Sequence, residues 1–576
     1  MTAISRPILS LALAASVVIT SLPGAYAQSK EQFERAPLNP AFEQHQAKRT
    51  LRSLTPDGHA LGYRPGPIEV TLPRKNLRST HAALPSTYDL RTLGRVTPVR
   101  DQGSCGACWT FATLGPVESS LLPEETWDFS ENNLRNNHGF DWSACDGGNV
   151  SISTANLARW TGPVLEADDP YRDKVDRKRT GLPVQKHIQD VLYLPERQNP
   201  LDNAAIKESI MKYGGLYMGF AYDDRYFANQ THAYYYPGTK DSNHAVTLIG
   251  WDDDYDKNNF ANKPKGNGAF LAKNSWGTKW GDDGFFYISY YDRTMQEFTA
   301  FPKPESADTT SHIYQYDELG WTESLGTSAG SDTAWFANLF TPGANEQLKA
   351  ISFYTTGHDA QYEVKVYTDV NPIKGPLSGQ LAGKTSGKED YMGYHTVQLK
   401  EPIQLAAGSS FAVVVKMTVP ESAYPIALES PIKAFSSKAR ADALQSFVSS
   451  NGSNWTDLTT IPSFSNSNVT IKAFTVDAAK ELSKLEIRDE QDKKKLSTIT
   501  LDAGGATRVI LARATYTDKS SANVSGSVKL KSNSNKKAVA VSVKGDVITL
   551  APKAAGTAKL RFMYENKTVT LTVKVK

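Results

Sequence analysis

The second half of the chain is written in short alternations. Leu348-Lys-Ala-Ile-Ser-Phe-Tyr354, Tyr362-Glu-Val-Lys-Val-Tyr367, His395-Thr-Val-Gln-Leu399 and Phe411-Ala-Val-Val-Val-Lys416 place apolar residues at period two or in brief runs, with Gly, Pro and Asp between them. That spacing predicts an all-β sandwich over 313–477. A further set of strands, ending in Lys567-Thr-Val-Thr-Leu-Thr-Val-Lys574, predicts a second all-β sandwich over 478–576. Upstream the period changes. Ala204 to Met211 carries apolar residues at helical spacing, and Gly214 to Phe220 reads as a buried strand. Trp109, Phe111, Ala112 and Leu114 after Cys108 read as the start of a helix. Gly115-Pro116 predicts a kink or an early end there, because proline removes a hydrogen bond and its ring clashes with the preceding turn. Helical and strand periods mix before about Ala300 and strands alone follow His312, which sets a mixed upstream region apart from a polar linker at 301–312 and the two β-domains.

The first residues are of another kind. Arg6 precedes an apolar run from Ile8 to Leu22, then Pro23-Gly24 and Ala25-Tyr26-Ala27. A basic start, an apolar stretch and a small-residue cleavage site predict a secretory signal over 1–27 and an exported chain. About 15 apolar residues are short for a membrane span, and no other run is longer, so no membrane span is predicted. Residues 28–83 are polar and hold six prolines from Pro37 to Pro73.

Composition narrows the choice of partner. At 576 residues with 40% hydrophobic and 22% charged residues, the chain can fill several cores, and a mostly disordered chain is excluded. A net charge of +3 over this length gives no basis for nucleic acid as partner of the whole molecule. The charge is uneven: from Ala478 onward 20 Lys+Arg face 9 Asp+Glu. That basic module could dock on an anionic cell-surface polymer, or its charge could simply keep it soluble. Its three aromatics, Tyr516, Phe562 and Tyr564, are too few for stacking along single-stranded nucleic acid.

The chemistry sits in three cysteines. Cys105, Cys108 and Cys145 are an odd number, which in an exported chain predicts one disulfide and one free thiol. Cys108 lies in Asp101-Gln-Gly-Ser-Cys-Gly-Ala-Cys-Trp-Thr-Phe111, and this stretch closely resembles the papain-like cysteine peptidases, whose nucleophile sits in a Cys-Gly-[Ser/Ala]-Cys-[Trp/Tyr] element. Asn243-His244-Ala245-Val246 and Lys273-Asn274-Ser275-Trp276-Gly277 follow in the family's order. The second falls slightly late because a polar insertion, Trp251 to Gly268, precedes it. Val96-Thr97-Pro98-Val99, Phe129-Ser130-Glu131-Asn132 and Cys145-Asp146-Gly147-Gly148 match as well. Any one of these is weak, but all in order over 84–300 identify the family.

The resemblance implies roles. Cys108 is the expected nucleophile, His244 its base and Asn274 the group that orients the imidazole. Gln102 donates to the oxyanion beside the Cys108 N–H, and Trp276 shields the His–Asn hydrogen bond from water. Cys105 and Cys145 pair, and Gly147-Gly148 line the substrate cleft. The resemblance implies a two-lobed α+β catalytic domain over 84–300, starting at Leu84-Pro-Ser-Thr-Tyr-Asp-Leu-Arg91, with no metal or organic cofactor, and it makes 28–83 an inhibitory propeptide, although the helical propeptide signature of plant and animal members is absent. The stretch 313–477 resembles the lectin-like domain found after some bacterial and archaeal peptidases, where Trp321, Trp335 or Trp455 could meet glycan or serve as core. The last domain resembles bacterial immunoglobulin-like repeats. Asp252 to Asp256 lacks the Gly and Glu of a calcium loop and reads as a solvated hairpin. The expected activity is hydrolysis of protein or peptide substrates through a thioester. The alternatives are acyl transfer by the same triad, or a surface adhesin with an inactive peptidase domain.

Overall fold

The structure is a computed structural model that describes residues 33–48, 54–70, 72–73, 84–478, 480–517 and 519–576. The predicted signal at 1–27 lies outside the described residues. The described chain divides at Val476/Asp477 into two compact units.

In the first unit a helical lobe faces a sheet lobe. The helices are α1 (Pro40–Lys48), α2 (Cys108–Leu121), α3 (Glu131–Asn137), α4 (Val150–Ala158) and α5 (Ala204–Tyr213). Helix α2 has no side-chain cap at its N-terminus, and every one of its residues is buried. A helix buried on all sides is held by tertiary packing rather than by propensity. That corrects the expectation of an early end at Gly115-Pro116, since α2 runs on through Pro116 to Leu121. The lost hydrogen bond is one of many local terms, and enclosure between the lobes outweighs it. Gly115 is required by the packing: a Cβ there would lie 2.8 Å from Thr247 Oγ1. Helix α3 is capped by Ser130, whose Oγ accepts from Asn133 N at 2.9 Å, and α4 by Asn149, whose Oδ1 accepts from Ile152 N at 3.0 Å.

The sheet lobe is antiparallel around His244–Asp252, which pairs with Leu216–Phe220 on one side and Ala269–Lys273 on the other. Phe220, Val246, Leu248, Phe270 and Ile288 build its core, and α5 adds Ile206 and Ile210. The same sheet continues beyond residue 300. Val191–Tyr193 pairs with Gln296–Ala300 and, on its other edge, with Met392–Leu405 of the following domain. Gly393 makes that seam: its φ is +144°, and a Cβ would fall 2.0 Å from the Val191 carbonyl oxygen. The stretch 301–312 is therefore no free tether. Glu305–Ser306 pairs with Lys186–His187, and Phe301 is fully buried.

The region 313–477 packs a six-stranded sheet, Gln380–Glu389 to Thr456–Asp457, against strands that include Glu346–Thr355 and Ile471–Asp477. Trp321 is buried, whereas Trp335 and Trp455 are half-buried, with Lys416 Nζ 5.4 Å from the Trp335 ring. A small sheet places Phe33–Arg35 beside Glu323–Thr327, and Arg35 pairs with the buried Glu323. The second unit, Asp477–Lys576, has its own two sheets and a core of Ile487, Ile510, Leu550, Leu560, Phe562 and Val573.

Candidate active site

Cys108 is the first residue of α2 and is the free cysteine among the described residues. The loop before it is tied down by the Cys105–Cys145 disulfide, with S–S 2.07 Å and Cα–Cα 4.9 Å. His244 opens the central strand of the sheet lobe, and Asn274 follows the neighbouring strand. Their placement on paired strands brings His244 Nε2 to 2.8 Å from Asn274 Oδ1. The other ring nitrogen, Nδ1, is buried and has no hydrogen-bond partner among the described residues. Trp276, 2% exposed, stacks on the imidazole with centroids 4.6 Å apart and planes at 27°.

Gln102 is completely buried, and its amide orientation is determined by its neighbours. Ser275 Oγ donates to its Oε1 at 2.7 Å and Trp276 Nε1 at 3.2 Å, which turns the NH₂ toward the cleft. There Nε2 donates to the carbonyls of Ala60 at 2.8 Å and Cys105 at 2.9 Å.

Residues 54–70 thread this cleft. Gly148 N donates to Gly62 O at 2.9 Å, Arg64 N to Gly148 O at 2.9 Å, and Tyr63 N to Asn243 O at 3.0 Å. The chain thus bonds both walls, one beside Cys145 and the other beside His244. Gly62 lies over the nucleophile: a Cβ on it would be 2.2 Å from Gly106 O. Gly147, at φ +110°, is equally constrained, with Gly62 O 2.5 Å from where its Cβ would be. His59 stacks on Trp276 with centroids 5.3 Å apart, and its Nε2 lies 3.3 Å from Asp101 Oδ1.

Enclosure controls the ionisation. Burial pushes the Cys108 thiol up to about 12, against weaker lowering by backbone hydrogen bonds with Ala245 and Gly62. Burial also pushes His244 down to about 4, opposed by its hydrogen bond to Asn274. With the cleft covered, thiol and imidazole are both neutral at physiological pH.

The sequence-predicted residues Cys108, His244, Asn274, Gln102, Trp276 and Gly147-Gly148 therefore meet at one junction. Sequence reasoning missed Ser275, which orients Gln102, and Tyr63, Gln296 and Glu297, which form a polar cluster in the cleft with Tyr63 and Glu297 buried and Gln296 half-buried. The adjacency of Ser275 to Asn274 was the available signal for the first. None existed for the others, because Tyr63 lies more than two hundred positions before the Gln296-Glu297 pair. Asp253 pairs with Lys207 and accepts from Tyr290 Oη at 2.7 Å, and among the described residues no group of three or more acidic, His or Cys side chains could hold a metal ion.

These features define a two-lobed thiol site of the papain type, and the comparisons agree. Residues 84–300 match the papain family cysteine protease domain, and 313–475 match the lectin like domain. The chain belongs to the papain family of cysteine proteases and carries a lectin-like domain after the catalytic one. A viral cathepsin of Heliothis zea nuclear polyhedrosis virus is 30% identical over 217 residues, 36% of this chain and 52% of that protein. A cysteine protease of Blomia tropicalis is 27% identical over 37% of this chain and 64% of that protein. The chain thus spans between half and two thirds of the length of these curated relatives. The crystal structure of the cysteine protease and lectin-like domains of Cwp84, a surface layer associated protein of Clostridium difficile, covers 77% of this chain and 98% of that chain, with TM-score 0.65 and 29% identity. A clostridial Cwp84 variant after propeptide cleavage covers 68% of this chain and all of that one, with TM-score 0.61 and 30% identity.

Proposed function

We propose that this chain is an exported cysteine endopeptidase, made in a latent form. The observation that carries this reading is the buried His244–Asn274 pair at 2.8 Å, with the second imidazole nitrogen unpartnered, beside a helix that begins with the free thiol. In the proposed cycle His244 takes the Cys108 proton, and the thiolate attacks the peptide carbonyl. The oxyanion accepts from Gln102 Nε2 and the Cys108 N–H. The amine leaves with the proton from His244, and a thioester remains. Water, deprotonated by His244, releases the acid and restores the thiol.

Residues 28–83 are assigned as the inhibitory segment. Their described part occupies the donor that the oxyanion needs, since Ala60 O takes the Gln102 amide at 2.8 Å. A polypeptide passing through the whole cleft, from Ala60 to Arg64 and beyond, also favours internal over terminal cleavage. Secretion rests on the leader pattern of 1–27. The basic module from Ala478 is assigned to anionic surface polymer, on its 20 Lys+Arg against 9 Asp+Glu. Binding that vanishes as salt is raised is expected, and salt-independent binding speaks against it.

The deciding experiment compares the processed chain with its Cys108→Ala variant on a denatured protein. Fragments from the first alone are expected. If neither cuts although both are folded, the catalytic assignment fails.

A further inference from the structure

The occupied cleft contains a pocket whose chemistry is more specific than the reaction requires. Tyr63 lies next to Gly62, the residue over Cys108, and its side chain enters the body of the enzyme until it is only 5% exposed. One wall is Gly219, where a Cβ would sit 3.1 Å from the Tyr63 ring. At the far end the phenol donates to Glu297 Oε1 at 2.9 Å and accepts from Gln296 Nε2 at 3.0 Å.

The backbone is deformed to present this pair. Gln296–Ala300 pairs with Leu216–Phe220, and the register slips between Gln296 and Thr299. Glu297 sits in that bulge at φ 56°, in the left-handed region that a residue with a side chain enters at a cost. A bulge turns two successive side chains out of strict alternation, so Gln296 and Glu297 both reach the phenol. Glu297 is 7% exposed, and burial raises its carboxyl to about 7 while the Tyr63 hydroxyl lowers it.

We infer that Gln296 and Glu297 make this pocket selective for tyrosine, so that the enzyme prefers substrates presenting a tyrosine to it, and that Tyr63 holds the place of that residue in the latent chain. This rests on the peptidase reading above and deepens it. A phenylalanine fills the same volume but leaves the Glu297 oxygen and the Gln296 amide without the hydroxyl. A site built to hydrogen-bond a hydroxyl discriminates against the analogue that lacks it far more strongly than an apolar pocket discriminates by size.

Two measurements test this. The processed enzyme is given peptides that differ only by Tyr, Phe, Leu or Arg at each position flanking the cleaved bond. At one position kcat/KM is expected to favour Tyr over Phe at least about tenfold. Glu297→Leu should bring that ratio to about one, while Glu297→Gln, which keeps an acceptor, retains part of it. A ratio near one at every position, a ratio indifferent to Glu297→Leu, or a preference for Leu or Arg at the Glu297-dependent position overturns the inference.

The second measurement needs no turnover. In the full chain carrying Cys108→Ala, Tyr63→Phe should speed amide hydrogen exchange around Gly62 to Arg64 about tenfold. In a Glu297→Leu background the same change should add nothing. Equal exchange with Tyr or Phe at 63 refutes the pocket's selectivity. A chain that cleaves nothing would sink the peptidase reading, while the exchange result would still decide what the pocket recognises.

Discussion

At the scale of single residues, the site works through orientation and enclosure. Ser275 and Trp276 hold the Gln102 oxygen and leave its NH₂ facing the cleft, the orientation that the proposed oxyanion role needs. Gln102→Ala is expected to lower kcat about 10²–10³-fold with little change in KM, as befits a donor used mainly in the transition state. An equal loss confined to KM would assign it to ground-state binding instead. Cys108 makes a second prediction. Its thiol is pushed up to about 12 while 54–70 cover the cleft, so the reactive thiolate is scarce at pH 7. The sign is that of an acid whose charged form is disfavoured: reactivity rises with pH and with exposure to water. Alkylation of Cys108 at pH 7 should accelerate at least about 100-fold on removal of residues 28–83, each unit of pKa being worth a factor of ten. Mass spectrometry of the alkylated chain checks it, and equal rates before and after would separate latency from the thiol.

At the scale of elements, helix α2 and the strand His244–Asp252 are a single device. Gly115 lets the helix approach the strand closely enough to set Cys108 beside His244. In an isolated helix Gly→Ala would gain about 1 kcal/mol from propensity. Here the new Cβ would meet Thr247 Oγ1 at 2.8 Å, and overpacking typically costs about 1–3 kcal/mol, so destabilisation is expected to win. Gly115→Ala should lower the urea midpoint and, because Thr247 is three residues from His244, also reduce kcat. A variant more stable than the parent would show that the helix can move away. Much of this level was legible in advance. The apolar spacing of Ala204 to Met211 foretold α5, and the alternations at Leu348, Tyr362, His395 and Phe411 each fall in a strand. The behaviour of α2 at Pro116 was not legible, because a local rule for proline carries no information about burial on every side.

At the scale of the whole molecule, the first unit is more continuous than its sequence pattern implies. One sheet crosses from peptidase to lectin-like domain at Val191–Tyr193 and Met392–Leu405. The segment that threads the cleft is rooted in both: Phe33–Arg35 pairs with Glu323–Thr327, and Phe42 packs on Phe435 at 5.2 Å between centroids. The lectin-like domain therefore helps to hold the covering segment in place. Phe42→Ala should cost about 3–5 kcal/mol in the full chain. It should also hasten processing of residues 28–83, seen as faster appearance of the shorter chain on a gel. Unchanged processing would mean that the cleft contacts alone set the rate.

Sequence alone singled out Cys108, His244, Asn274 and Gln102, which the fold gathers at one junction, and it gave the class of the catalytic and lectin-like regions. Those residues stand in short local motifs that the sequence displays directly, and strand periodicity is local as well. The continuous sheet, the course of 54–70 through the cleft, and the meeting of Tyr63 with Gln296 and Glu297 were decided by tertiary structure. Those contacts join residues far apart in the chain, 234 positions for Tyr63 and Glu297, through backbone pairing and one bulge. Backbone pairing uses groups that every residue has, and so it leaves no mark in the pattern of side chains.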